Sequence, residues 1–287
     1  MAGEPKRRPF LIELAIRLVR EKPLGTIGGV IVLAFFVTGI FANFLAPYGY
    51  SEFHTGAFLK PPSSEFILGT DNVGRDILSR IIYGARISMI VGLVGATIDV
   101  VIGTIIGLLS GYIGGKFDLI VQRFVDAFMC FPGLLLIIVV MSLVGAGMWQ
   151  VTLVIGVTWG IGASRIVRGA VIGVKQNVYV EAARCIGSPL GRLLIKHILP
   201  NVTAPIIIIF TIAVGAIILT EASVSFLGYG IPPPMPSWGA MLSGPGRNYM
   251  LVAPWMVVWP GLALSIVVYG INIFGDAVRD LLDPRLR

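Results

Sequence analysis

Two acidic residues lie within the long apolar runs of this chain, and they are its first candidates for chemistry. Asp99 falls near the middle of one run, and Glu221 falls near the end of another. A carboxylate inside a membrane is costly, so such residues mark a pathway or a contact between helices. For Asp99 two interpretations stay open: a polar point on a translocation path, contacting a substrate ammonium group, or a hydrogen bond between helices. Glu221 either faces the mouth of a path or holds two helices together, and the second is favoured.

A polar stretch, residues 181–201, interrupts the apolar C-terminal half and reads EAARCIGSPLGRLLIKHILPN. It predicts two short helices with a break between them. Gly187 suits the left-handed residue that ends a helix, and Ser188 before Pro189 is typical of a new helix start. The second helix is predicted to place one apolar stripe opposite Arg192 and Lys196. The predicted members of that stripe are Leu190, Leu193, Leu194, His197 and Ile198. The helix pattern alone fits a basic amphipathic segment on a lipid surface equally well.

The chain has no sequence motif for catalysis. It lacks a Walker phosphate loop, a glycine-rich dinucleotide turn, a His-Glu metal helix and a nucleophile elbow. Its only cysteines, Cys130 and Cys185, do not have the spacing of metal ligands, and both are predicted on the cytoplasmic side, where disulfides are rare. We therefore expect binding and movement, with no bound metal and no reaction catalysed by this chain.

The composition is that of a polytopic membrane protein. Of the 287 residues 56% are hydrophobic and only 13% are charged, which leaves too little polar surface for a soluble fold. Six runs approach the ~20 residues that span a bilayer. They are residues 24–45, 87–110, 127–147, 150–171, 203–226 and 252–274. Glycines inside these runs allow close helix packing, the role we expect for Gly92, Gly95, Gly103, Gly107, Gly156, Gly160, Gly162 and Gly215.

These runs divide the chain into an N-terminal cytoplasmic segment 1–23, a first transmembrane helix 24–45, an extracytoplasmic segment 46–86 and a core 87–287. Asp71 and Asn72 are predicted to cap a surface helix that contains the pair Asp76–Arg80. Cytoplasmic loops collect Lys and Arg, which predicts cytoplasmic termini and a cytoplasmic loop at 172–202. Only five of the 22 basic residues then lie outside: Lys60, Arg75, Arg80, Arg86 and Arg247.

Several of these stretches resemble a known family. Glu181-Ala182-Ala183, Gly187 and Leu199-Pro200 resemble the cytoplasmic signature of binding-protein-dependent ABC importer permeases. The form His-Ile-Leu-Pro-Asn, at 197–201, is similar to the dipeptide, oligopeptide and nickel branch of that family. Residues 69–76, 237–242, 275–276 and 283–287 also resemble sequence motifs of this branch. The resemblance therefore covers about residue 66 to the end.

This resemblance implies an all-α polytopic membrane protein with six transmembrane helices and the type I ABC importer permease architecture, in a bacterial or archaeal inner membrane. The loop would dock into a groove of an ATPase subunit, with Glu181 and Arg184 pairing across that interface and Ile195 as an apolar contact. The docking residues it implies are Glu181, Ala182, Ala183, Arg184, Gly187, Arg192, Ile195, His197, Leu199 and Pro200.

The implied partners are a second homologous permease subunit, two ATP-binding subunits that hold ATP and Mg²⁺, an extracytoplasmic substrate-binding protein and membrane lipid, but no nucleic acid. The implied cargo is a di- or oligopeptide. Nickel complexes or another small solute are the alternative within the same architecture. A secondary transporter working alone is disfavoured, because Asp99 is the only acidic residue predicted at the bilayer midplane.

Overall fold

The computed structural model describes residues 10–282, with side chains over 16–281, and its regular structure is helical. Five helices are long and apolar enough to cross a membrane, and a bent pair, α5 and α6, can provide a sixth crossing. The longer helices are α1 Phe10–Glu21, α2 Pro23–Ile40, α4 Ile77–Ile113, α5 Gly115–Met129, α6 Gly133–Val144, α7 Met148–Lys175, α10 Thr203–Phe226 and α13 Trp255–Leu282. The short ones are α3 Ala42–Leu45, α8 Val178–Cys185, α9 Leu190–Arg192, α11 Trp238–Leu242 and α12 Gly244–Asn248.

The predicted third span, 127–147, is not one continuous helix. The chain breaks at residues 130–132, and α5 and α6 meet at an angle of 87°. Pro132 lies at the start of α6, where its ring prevents the preceding residue from continuing a helix. The 12 residues of α6 rise about 18 Å, less than the ~30 Å hydrocarbon core. This crossing therefore needs part of α5 as well.

The start of α4 also differs from the prediction. The helix begins at Ile77, ten residues before the predicted span, and Asp76 caps it by accepting a 2.7 Å bond from the Ser79 amide. Asp71 and Asn72 are not its caps, and the predicted Asp76–Arg80 pair does not form. Asp76 lies outside the helix, and the Arg80 Nε atom is instead 3.9 Å from the Asp71 carboxylate.

Glycines allow α4 and α7 to pack closely. A Cβ atom at Gly107 would lie 2.8 Å from the Ser164 carbonyl oxygen, and one at Gly160 would lie 2.8 Å from the Asp99 carbonyl oxygen. Gly162 is the exception among the predicted packing glycines, because its nearest neighbour would be 4.0 Å away. Close backbone contact thus fixes α4 against α7 along much of their length.

Two loop segments, residues 46–76 and 227–254, together form what we call the cap. It joins the start of α4, the end of α10 and the start of α13. Two indoles tie it to the helices: the buried Trp238 donates from Nε1 to the Ile81 carbonyl and the half-buried Trp255 from Nε1 to the Thr70 carbonyl, both at 3.1 Å. Arg80 Nη1 donates to the Tyr50 carbonyl at 3.0 Å. The cap is therefore an integral part of the fold.

Candidate functional site

At the opposite end of the helices, residues 176–202 form what we call the connecting loop. Its first helix, α8, ends in a Schellman motif. The Ser188 amide donates to the Ala183 carbonyl at 3.2 Å, and the Gly187 amide donates to the Arg184 carbonyl at 3.0 Å. Gly187 has a φ of +77°, the left-handed conformation that the sequence predicts. Glycine is needed here because a side chain is strained at this φ.

The second half of the connecting loop differs from the predicted α-helix. Pro189, not Ser188, is the N-cap, because its extended ψ of 151° keeps it outside the helix. After α9 the chain widens into a π-helix at Leu193–Ile198 and tightens into a 3₁₀ turn at Leu199–Asn201. The change of helical period rotates the predicted stripe. Leu190 is consequently exposed and His197 half-buried, and only Leu193, Leu194 and Ile198 are buried.

The buried residues of the connecting loop attach it to the membrane helices. Leu194 and Ile198 belong to one apolar cluster with Leu108 of α4 and with Val167 and Val171 of α7. Ala183 of α8 is also buried. Because α4 and α7 are locked together by glycine contacts, a displacement of the connecting loop would act on the two helices as one body.

The opposite side of the connecting loop is exposed. It carries most of the residues that the sequence predicted for docking, and Leu199 is half-buried among them. Glu181 and Arg184 are both exposed and form no ion pair with each other or with another side chain that the structure describes. Sequence reasoning missed Val178 and Ile186, which are 81% and 83% exposed. The residues around them in sequence form no pattern that predicts such high exposure. The exposed predicted residues are Glu181, Ala182, Arg184, Gly187, Arg192, Ile195 and Pro200.

A second candidate feature is a groove of about 910 Å³. Its walls are apolar faces of α6, α7 and α10, including Leu134, Trp159 and Ile212. Asp99 of α4 also lines it. The Asp99 residue is only 1% exposed, and its buried Oδ1 atom has no hydrogen-bond partner. A carboxyl group without a partner therefore lies in the wall of an otherwise largely apolar groove.

Glu221 does not line this groove. It is 1% exposed, and its Oε1 atom accepts hydrogen bonds from the hydroxyls of Ser225, at 2.6 Å, and Ser237, at 2.7 Å. The Ser225 Oγ atom in turn accepts a bond from the Ile231 amide. These bonds connect the end of α10 to the cap. Glu221 therefore joins α10 to the cap, while its predicted role of holding two helices together stays a prediction.

Two family models match parts of this chain. Residues 103–287 match the family described as "Binding-protein-dependent transport system inner membrane component". Residues 11–62 match "N-terminal TM domain of oligopeptide transport permease C". The second match covers α2, the helix that Arg86 holds by donating to the carbonyls of Gly39 and Ile40.

Similar proteins cover nearly the whole chain. A dipeptide transport system permease of Alkalihalophilus pseudofirmus is 38% identical over 95% of this chain and 90% of its own length. An oligopeptide transport system permease of Bacillus subtilis is 38% identical over 93% and 88%. A glutathione transport system permease of Pectobacterium atrosepticum is 40% identical over 90% and 86%.

A solved structure shares the fold. The MetNI methionine ABC transporter, in an inward-facing conformation, contains a chain that aligns with a TM-score of 0.57 at 19% identity. The alignment covers 71% of the chain described above and 96% of the MetNI chain. The likeness supports the type I importer architecture and, at this identity, concerns the fold alone.

Proposed function

This chain belongs to the family of inner membrane components of binding-protein-dependent transport systems, and we propose that it is the permease subunit of an ATP-driven peptide importer. The observation that carries the proposal is the similarity, over at least 90% of the chain, to permeases named for dipeptides, oligopeptides and glutathione. All three cargoes are peptides, which favours peptides over nickel complexes.

The connecting loop is the part that we propose takes up work from ATP hydrolysis. Its exposed side offers unpaired charges, Glu181 and Arg184, beside exposed apolar side chains, Ile186 and Ile195. Such a mixture suits a protein interface with an apolar centre and a charged rim. Its buried side, Leu194 and Ile198, contacts α4 and α7. A push on the exposed side would thus reach the helices that line the groove.

The assembly that we propose contains this chain, a homologous permease, two ATP-binding subunits and a substrate-binding protein. ATP and Mg²⁺ bind to the ATP-binding subunits. The chain is a multi-pass inner membrane protein, and in our proposal the connecting loop faces the cytoplasm and the cap faces outward. The groove, with Asp99 in its wall, forms part of the translocation path.

The test is a reconstituted complex in which Glu181 is replaced by Lys. Charge reversal at a docking contact places a like charge or an unpaired charge in the interface, so ATP hydrolysis should no longer rise when loaded binding protein is added, and uptake should fall at least about tenfold. The matched control is Glu65→Lys, a charge reversal of an exposed residue in the cap. Wild-type uptake and stimulation in the Glu181→Lys complex would contradict docking through this loop. Absence of ATP-dependent peptide uptake by the wild-type complex would contradict the importer proposal itself.

A further inference from the structure

Among the described residues that line the groove, only two carry a charge, and their signs are opposite. They are Asp99 of α4 and Arg279 of α13. The rest of the lining is apolar or carries hydroxyl groups that are already used locally: Thr158 donates to the Val154 carbonyl and Thr220 to the Ala216 carbonyl. These two side chains are therefore the only ionisable groups that the described lining offers to a ligand in the groove.

Neither side chain has an ion-pair partner within the part of the chain that the structure describes. Asp99 is almost completely buried, its Oδ1 atom has no hydrogen-bond partner, and it forms no ion pair. Arg279 is exposed and forms no ion pair either, and the adjacent Asp280 is bound to Lys22 at 2.6 Å. A buried acidic group without a partner is costly. That cost applies to the charged form, and a cationic ligand in the adjacent groove would pair with it.

The two charges lie at different depths of the groove. On α4, Gly95 packs against Ile217 of α10, and Asp99 lies one turn further toward the connecting loop. On α13, Gly275 packs against Thr211 of α10, and Arg279 lies one turn further in the same direction. The two reference contacts are six residues apart on α10, which corresponds to roughly 9 Å along the helix axis. Two to three residues of extended peptide span a similar length.

We propose that Asp99 and Arg279 form a subsite for zwitterions. The Asp99 carboxylate binds the terminal ammonium group of a short peptide, and the Arg279 guanidinium binds its terminal carboxylate. The walls between them are largely apolar and contact the side chains of the peptide. This inference rests on the proposed function, because it assigns the groove to the cargo of the importer. It adds that the groove itself distinguishes free peptide termini from blocked ones.

The experiment uses the assembled complex in nanodiscs without binding protein, so that the binding protein makes no selection. Trp159 lines the same groove and reports occupancy by its fluorescence, and a Trp159→Phe variant identifies its signal among those of the other tryptophans. The probes are tri-alanine, N-acetyl-tri-alanine and tri-alanine amide. Wild type should bind each blocked probe at least about tenfold more weakly than tri-alanine, as the loss of one charged hydrogen bond predicts.

The two variants should separate the two termini. Asp99→Asn should lose the preference against the N-acetyl probe and keep the preference against the amide, whereas Arg279→Gln should do the reverse. Asp276→Asn, an exposed carboxylate on α13 that does not line the groove, is the matched control and should behave as wild type. The inference is overturned if both variants keep both preferences, or if tri-alanine leaves the Trp159 signal of wild type unchanged. ATP-dependent uptake of tri-alanine, measured in parallel with binding protein, shows whether the proposed function stands in that case.

Discussion

The cap and the connecting loop join helices at opposite ends of the molecule, and they differ in where their side chains find partners. In the cap, Trp238 donates to the Ile81 carbonyl and Ser237 donates to Glu221, while the Thr70 carbonyl accepts from Trp255 of α13. In the connecting loop, Glu181 and Arg184 are exposed, and no ion pair involves either among residues 16–281. Most of these cap side chains pair with the helices, although the buried His54 Nε2 atom has no hydrogen-bond partner, whereas the connecting loop leaves charged and apolar groups available.

This difference indicates which region is stable by itself and which needs a partner. Unpaired buried polar groups destabilise a fold, so a segment that pairs them internally contributes to stability. A segment with its side chains exposed contributes little to stability and is free to bind. We therefore expect substitutions in the cap to act on folding, and substitutions on the exposed side of the connecting loop to act on coupling to the ATPase.

The largest effect on stability is expected from Trp238→Ala in the cap. The indole is 2% exposed, packs near Phe35 at a ring-centroid distance of 6.1 Å, and bonds to the Ile81 carbonyl. Removing a buried aromatic side chain costs about 3–5 kcal/mol. Thermal melting in detergent should show a clear loss of stability and faster trypsin cleavage at Lys60. Trp149→Ala, which removes an indole that is 61% exposed, is the control. Equal melting temperatures for the two variants would refute the view that the cap stabilises the fold.

A smaller effect is expected at Glu221, where the substituted group decides the outcome. Both serine hydroxyls donate to the same oxygen, Oε1. Glu221→Gln keeps a carbonyl oxygen there and should melt close to wild type. Glu221→Leu leaves the O–H donors of two buried serines without an acceptor, each costing about 1–3 kcal/mol, and should melt at a lower temperature. Peptide uptake, measured on both variants, separates a role of Glu221 in joining α10 to the cap from a role in transport. A Gln variant that is stable yet unable to transport would contradict a purely structural role.

The sequence predicted the features that depend on local chain properties. Apolar length located the membrane helices, and a break with a left-handed glycine located Gly187, whose φ is +77°. It did not predict the bend between α5 and α6 or the π-helix at Leu193–Ile198. The bend follows from Pro132, which was read as part of a span. The position of Asp99 and Arg279 on one groove depends on the tertiary packing of α4 and α13 against α10, which residue spacing does not encode.

A still smaller structural effect, confined to the connecting loop, is expected from Gly187→Val. A side chain in the left-handed region costs about 1–2 kcal/mol, and nothing lies within 4 Å of the added Cβ atom. The strain should therefore redirect the second half of the loop without affecting insertion or the melting of the cap, while uptake and stimulated ATP hydrolysis are lost. Gly191→Val is the matched control: it also adds a Cβ atom in open space, but its φ is not positive. Equal uptake by the two variants would show that the angle set by Gly187 does not matter for coupling.

Cysteine labelling can show on which side of the membrane the connecting loop lies without disturbing the fold. Cys130 and Cys185 are both exposed and free, so Cys130→Ser leaves Cys185 as the only reporter. A membrane-impermeant maleimide should not reach Cys185 in right-side-out vesicles and should label it in inside-out vesicles from which the ATPase has been stripped.

The cap and the connecting loop should also differ in labelling, both in sidedness and in protection by the ATPase subunits. Ser64→Cys, placed in the exposed part of the cap in a chain without the native cysteines, should show the opposite sidedness. Adding back the ATPase subunits should then slow the labelling of Cys185 and leave the labelling of the Ser64→Cys chain unchanged, because only the connecting loop becomes covered. Labelling of Cys185 from outside would reverse the proposed orientation. Labelling from inside that the ATPase does not slow would place the docking surface elsewhere, since Cys185 lies next to Ile186, the most exposed apolar residue of the connecting loop.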